Sequence, residues 1–277
     1  MRFEDFARIH GLIIDRVIPH RQVRTPTEDH PRSKNGSYKF LGHFGFVQNW
    51  ATMSEPAIWF DDKKTASIEV IKRSSAQEDK ERERLAKKAS DKAGWILHQC
   101  KQETHPYLAS KGFPDELGNV WTKDNERILV IPMRIDKRLT GCQLINSEGV
   151  KKFLYGQTTK GATLTMNAKG FPIFCEGYAT ALSIREAMIA NNIKYSIHVC
   201  FSASNMKLIA GKFPYGLIVA DNDNSHVGET TARKTGKPYW LSETIGEDFN
   251  DFHKRVGTFK ASQSLKKKLI EIGSLVF

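Results

Sequence analysis

The sequence predicts an α/β protein, α+β overall, in which a parallel-sheet domain follows a basic subdomain and a small β-rich module. Three observations predict it. Short strand-like runs at 172–175, 196–201 and 216–220, the first and last of them apolar throughout, are separated by stretches of helical composition, the pattern of parallel β-α-β units with right-handed crossovers. Two of these runs end directly on acids, Glu176 and Asp221. Residues 1–72, by contrast, are broken by Pro19, Pro26, Pro31 and Asn35-Gly36 into turns and short strands.

Composition narrows the function classes. The chain has 277 residues, 40% hydrophobic and 10% aromatic, which is globular and long enough for one large or two small domains. Lys plus Arg number 42 against 31 Asp plus Glu, and the net charge of +11 favours a polyanionic partner such as nucleic acid. A solvated basic surface is the alternative. Cys100, Cys142, Cys175 and Cys200 form no Cys-x-x-Cys pair, which argues against a disulfide scaffold and a cysteine zinc ribbon. The opening MRFEDFARIHGLIIDR has acids ahead of its short apolar patch and does not suit a secretory signal. No stretch approaches the ~20 apolar residues of a membrane span. The expectation is a cytoplasmic protein with no membrane partner.

In residues 1–72, segments 38–41 and 44–47 read as paired strands. Arg16, Arg21, Arg24, Arg32, Lys34 and Lys39 meet only Glu28 and Asp29 between them. They are candidates to hold a single strand, with Trp50 or Phe46 available for base stacking. A module that only packs against the rest is the alternative. His10, His20, His30 and His43 have no zinc-site spacing, so no zinc is expected. Residues 73–103 form a charged linker, with a helix at 76–103. Leu85, Ala89, Ala93, Ile96 and Cys100 make a narrow apolar stripe, and Glu78–Arg82 and Glu83–Lys87 are favourable i,i+4 pairs.

Residues 104–170 read as a basic subdomain with strands at 127–132 and 140–146. From 149 to 175 there is no acid, while Lys151, Lys152, Lys160 and Lys169 lie among Gly, Thr and aromatic residues. Lysines without neighbouring carboxylates suit a phosphate-tracking groove, and an ordinary basic β-rich edge is the alternative. The alternating part, 171–257, has strands at 172–175, 196–201, 216–220 and 237–241. Helices are expected at 178–191, 205–212 and 249–256, and a helical tail at 258–277.

Carboxylates at the ends of two parallel strands converge, because the carboxyl ends of such a sheet line one crevice where ligands bind. In the run Asp221-Asn222-Asp223-Asn224, the two acids point to the same side of an extended segment. Glu176, Asp221 and Asp223 are three hard oxygen donors that suit Mg2+ or Mn2+, and without a cation they would repel one another. An Asx-type turn ending the strand is the alternative for the second cluster alone.

The string CEGYATALSI at 175–184, with VADNDN at 219–224 and EDFND at 247–251, resembles the TOPRIM domain of DNA primases of the phage and plasmid, bacterial DnaG-like type. VCFSASNMKLIA at 199–210 is similar to that family's stretch between its two acidic motifs. ILVIPMRIDKRLTGCQLINSEGVKKFLYG resembles the basic subdomain ahead of TOPRIM, and HPYLASKGF at 105–113 the helix leading into it. Segment 20–50 resembles the family's N-terminal module more loosely. The resemblance implies synthesis of short RNA primers from ribonucleoside triphosphates on single-stranded DNA. It makes Glu176 the general acid/base or metal ligand, and Asp221 and Asp223 the metal-binding pair. Bacterial primases carry a further Asp four residues after the glutamate, where this chain has Thr180. Asp248 and Asp251 are the candidates to replace it as metal ligands. The usual zinc ribbon is absent.

The residue chemistry points the same way. Joining ribonucleotides requires carboxylates that hold metals, and lysines (Lys151, Lys152, Lys160) that hold triphosphate and template, with Arg21, Arg24 and Lys34 as further nucleic-acid contacts. No G-x-x-x-x-G-K-[ST] loop occurs, so a replicative helicase would be a separate partner. A TOPRIM nuclease would use the same carboxylates on a water nucleophile. A catalytically silent accessory protein that binds nucleic acid is the third reading.

Overall fold

A computed structural model describes the chain apart from residues 43, 62–67, 168, 223–226 and 274–277, and only the backbone of 68–78 and 227. It divides into two compact units, Met1–Glu81 and Arg82–Phe277.

The first unit begins with helix α1 (Phe3–Ile9) and continues as strands β1 (Gln22–Thr25), β2 (Gly36–Phe40), β3 (Phe44–Asn49) and β4 (Ala57–Phe60). They form one antiparallel sheet in the order β1-β2-β3-β4. The expected strand pair is a hairpin in which Tyr38 stands opposite Val47. Side chains alternate across a strand, so Tyr38, Val47 and Trp59 share one face and bury against Phe3 and Ala7 of α1. The Phe3 ring lies 4.9 Å from Phe40 and 5.6 Å from Trp59. A side chain on Gly45 would collide with Phe3, so this position admits the helix only as glycine.

Helix α2 (Ile68–Gln99) starts before the expected helix and ends sooner. It stops because 101–103 leave the helix to join a sheet. The second unit then presents β5 (Lys101–Glu103), helix α3 (Pro106–Ser110), β6 (Gly118–Lys123), β7 (Glu126–Ile135), β8 (Arg138–Ile145) and β9 (Lys151–Phe153). These strands make an antiparallel sheet in sequence order, centred on the β7–β8 hairpin. The period-2 pattern of β7 gives the sheet two buried faces. Val130 and Cys142 bury against Ala89, Ala93 and Ile96 of α2, whose expected apolar stripe is thereby used. Leu129, Ile131 and Ile145 bury on the other face with Tyr107 and Leu108.

The remaining chain is β10 (Leu164–Met166), β11 (Phe171–Cys175), α4 (Tyr178–Ala190), β12 (Tyr195–Val199), α5 (Ala203–Ala210), β13 (Leu217–Val219), α6 (Val227–Lys234), β14 (Tyr239–Trp240) and α7 (Phe249–Glu271). The sheet order is β10-β12-β11-β13-β14, parallel except for the edge strand β10. Ile173, Cys175, Ile197, Val199 and Leu217 pack on α4 and α7, while Phe174, Cys200 and Ile218 pack on α5 and α6. The result is a three-layer α/β arrangement. Ala179 and Leu182 of α4 also fill the core beneath the antiparallel sheet, so α4 is clamped between two sheets. Gly257, at φ 80°, interrupts α7 where the sequence separates the 249–256 helix from the tail. Among the described residues no helix is long and apolar enough to cross a membrane.

Candidate active site

The chain leaves β11 through α4 to β12 on one side, then crosses to β13 on the other. The carboxyl ends of β11 and β13 therefore flank a topological switch point, where an open parallel sheet leaves a crevice. Glu176 follows the last residue of β11, and Asp221 lies two residues past β13. The parallel register pairs Phe174 with Ile218. Continued by two residues, it brings Glu176 level with Ala220, beside Asp221.

Local bonds hold both ends. The Glu176 carbonyl accepts the Phe201 N–H at 2.9 Å, and the residue precedes the N-terminus of α4, where the helix dipole favours a carboxylate. Asn222 donates its side-chain amide to the carbonyls of Ser242 (2.9 Å) and Thr244 (3.3 Å). That tie draws segment 242–247 against the Asp221 strand end. Gly228 in α6 lies against the same strand end, and a Cβ there would stand 2.5 Å from the Asp221 carbonyl oxygen.

The anchored segment delivers a third carboxylate. Asp248 is the N-cap of α7, its Oδ1 accepting the Asp251 N–H at 2.8 Å. Its Oδ2 accepts the Thr180 hydroxyl at 3.4 Å. Glu247 is turned away: Arg255 donates to it at 2.6 and 2.9 Å, and Ser242 also donates. The Arg255 hydrogen bonds hold its carboxyl below the usual range against the opposing effect of burial. Asp251 pairs with Lys111 at 3.7 Å.

The buried Cys175 thiol registers this gathering of charge. Burial pushes it far above its ordinary value, followed by Cys200 and then by the charges of Asp221, Glu176 and Asp248. Asp223, the second acid of the D-x-D pair, lies outside the described residues. Among the described residues, no three His, Cys, Asp or Glu side chains are gathered closely enough to hold a metal by themselves.

The lysines divide. Lys151 stands opposite Ile145 and Phe153 opposite Gln143, so Lys151 and Phe153 share the sheet face that packs toward α4. Lys152 stands opposite Leu144 and faces the α2 side. The Phe153 ring meets Phe201 at 6.4 Å, and Phe201, at φ 66°, is the residue whose N–H binds Glu176. Lys160 is exposed in the loop before β10. In the first unit, Arg21 and Lys34 are exposed, while the Arg24 guanidinium stacks 3.7 Å above the Trp50 ring. One face of Trp50 is therefore already covered.

Sequence reasoning marked Thr180 only as a position lacking a carboxylate, and missed Asn222 and Lys111 as parts of this region. Asn222 could have been found from its position between two acids. Lys111 carried no local signal.

The sequence matches no protein-family model, and no curated protein matches it. A solved structure to which the chain is similar is that of the bacteriophage T7 lagging-strand DNA polymerase interacting with primase domains of two gp4 subunits bound to an RNA/DNA hybrid and dTTP. The likeness covers 61% of this chain and 90% of that one, at 12% identity and a TM-score of 0.43. A likeness of that strength assigns no activity and no residue role here.

Proposed function

We propose that this chain is a TOPRIM-type primase that joins ribonucleotides on a single-stranded DNA template. The observation that carries the reading is the placing of Glu176 and Asp221 at the carboxyl ends of two adjacent parallel strands, with Asp248 tied to α4 through Thr180. Like charges so placed are unfavourable without a cation or a reacting phosphate, and a purely structural strand end has no use for them.

The reaction is attack of a 3′-hydroxyl on an α-phosphate, with pyrophosphate leaving. Glu176 and Asp221, joined by Asp223 and with Asp248 beside them, are the oxygen donors that would hold Mg2+ or Mn2+. A metal bound there supplies charge neutralisation for the attacking and leaving oxygens. Glu176 is also suited to take the hydroxyl proton. Lys151, on the face turned toward α4, is suited to the triphosphate. Lys152, on the opposite face, and the exposed Lys160 are suited to the nucleic-acid backbone. No G-x-x-x-x-G-K-[ST] loop occurs within these residues, and a replicative helicase is a candidate partner.

Incubation with single-stranded DNA, Mg2+ or Mn2+ and labelled ribonucleotides tests the reading. Short labelled oligomers are expected. Shortened template would mark a nuclease, and an intact template without product a binding protein.

A further inference from the structure

The sheet of the first unit has one face buried on α1 and one turned to solvent. The alternation that buries Tyr38, Val47 and Trp59 sends Arg24, Lys39, Phe44, Phe46, Ile58 and Phe60 to the other side. Phe60 is 65% exposed and Ile58 51%. The rings run across the two strands: Phe44 lies 5.7 Å from Phe46 and 6.4 Å from Phe60, near-parallel to the latter at 29°. Lys39 stands directly opposite Phe46 in the register. Arg24, on β1, is held flat over Trp50. No Asp or Glu occurs in any of the four strands.

We propose that this face is a stacking platform for single-stranded nucleic acid, with bases on Phe44, Phe46 and Phe60 and phosphates along Lys39 and Arg24. Unpaired bases present flat π-faces that exposed aromatic rings satisfy, and cations interleaved with rings track the backbone. A second copy of the chain fits poorly, because a self-complementary contact would bring two cationic faces together with no acid in any of the four strands to pair with them. Of the two rings the sequence suggests for stacking, Phe46 lies on this face among the β3 and β4 rings, while Trp50 is already covered on one side by Arg24. The inference rests on the primase reading for the identity of the strand as template, while its test is binding alone.

The experiment titrates the full-length protein with a fluorescently labelled oligothymidylate, without divalent metal or ribonucleotides. Phe60→Ala is expected to weaken binding about tenfold and Phe44→Ala with Phe60→Ala further, since each base stacked on a ring contributes a factor of that order. Phe60→Trp should restore affinity. Lys39→Ala should lower the salt slope by about 0.7, whereas the ring variants leave it unchanged. Wild-type affinity in both ring variants, with an unshifted melt, would overturn the proposal. So would sedimentation in which Phe60→Ala dissolves a dimer without touching DNA affinity. A protein that binds through these rings yet makes no primers would keep the platform and lose the primase reading.

Discussion

Asp248 has a structural role as a helix cap, the proposed function gives it a chemical one, and two substitutions separate them. It caps α7 through Oδ1 and accepts the Thr180 hydroxyl through Oδ2. Asparagine caps helices as well as aspartate does, so Asp248→Asn keeps the cap and removes the charge, with a stability change under about 0.5 kcal/mol. Asp248→Ala loses the cap, worth about 1 kcal/mol, and a long hydrogen bond to Thr180 worth about 0.5 kcal/mol. The sum, roughly 1.5 kcal/mol, lowers Tm by about 3–6 °C in a unit of this size. Melts followed by circular dichroism read the first effect, and the primer assay the second. Both variants should lose primer synthesis by about tenfold or more, which corresponds to only about 1.4 kcal/mol of transition-state stabilisation. Equal melts for Asn and Ala would defeat the capping argument. Wild-type activity in Asp248→Asn would remove its charge from the site.

Asp221→Ala should abolish primer synthesis while single-strand affinity and the melt hold or rise, because the side chain lies past a strand end and its loss relieves repulsion; full activity would end the metal-site reading. Lys151→Ala should weaken ribonucleotide binding at least severalfold and Lys152→Ala should not, since the two project from opposite faces of β9; equal effects in a nucleotide titration would contradict that division. Asp29 is held down to about 2 from an ordinary 3.8, chiefly because the Asn49 amide donates to it at 3.0 Å. A depressed carboxyl stabilises the fold above its unfolded value and loses that contribution as pH falls toward 2. Asp29→Asn should therefore flatten the acid limb of the first unit's stability curve between about pH 4 and 2, and an unchanged limb by urea melts would remove Asp29 from it.

The parallel sheet was legible because its strands are buried on both faces. Such strands read as apolar runs, as in β11 and β13, where Phe174 and Ile218 are fully buried. Strands β5 and β6 left no such trace. Lys101–Glu103 is polar and Gly118–Lys123 mixes Gly, Thr and Lys, so only pairing with a neighbour makes either a strand. Helix α6 was likewise silent, lying beside acids whose own signal dominates that stretch.

At the candidate site, Glu176 and Asp221 stand out in the sequence because each follows an apolar run. Alternation along a strand and burial of apolar runs are local properties, and the residues carry them wherever the chain goes. Asp248 was only one of two candidates, Asp248 and Asp251, at the start of one helix. The fold gives them different partners: the Asn222 tie brings segment 242–247 to the end of β13, and at the start of α7 Asp248 meets Thr180 while Asp251 meets Lys111. Lys151 and Lys152, neighbours in sequence with equal charge, are parted in the same way by the pleat of β9 against β8. Which residues could do chemistry was written in residue type and local period. Which of them face one another depends on crossovers and register, and those are set by long-range burial that no short segment contains.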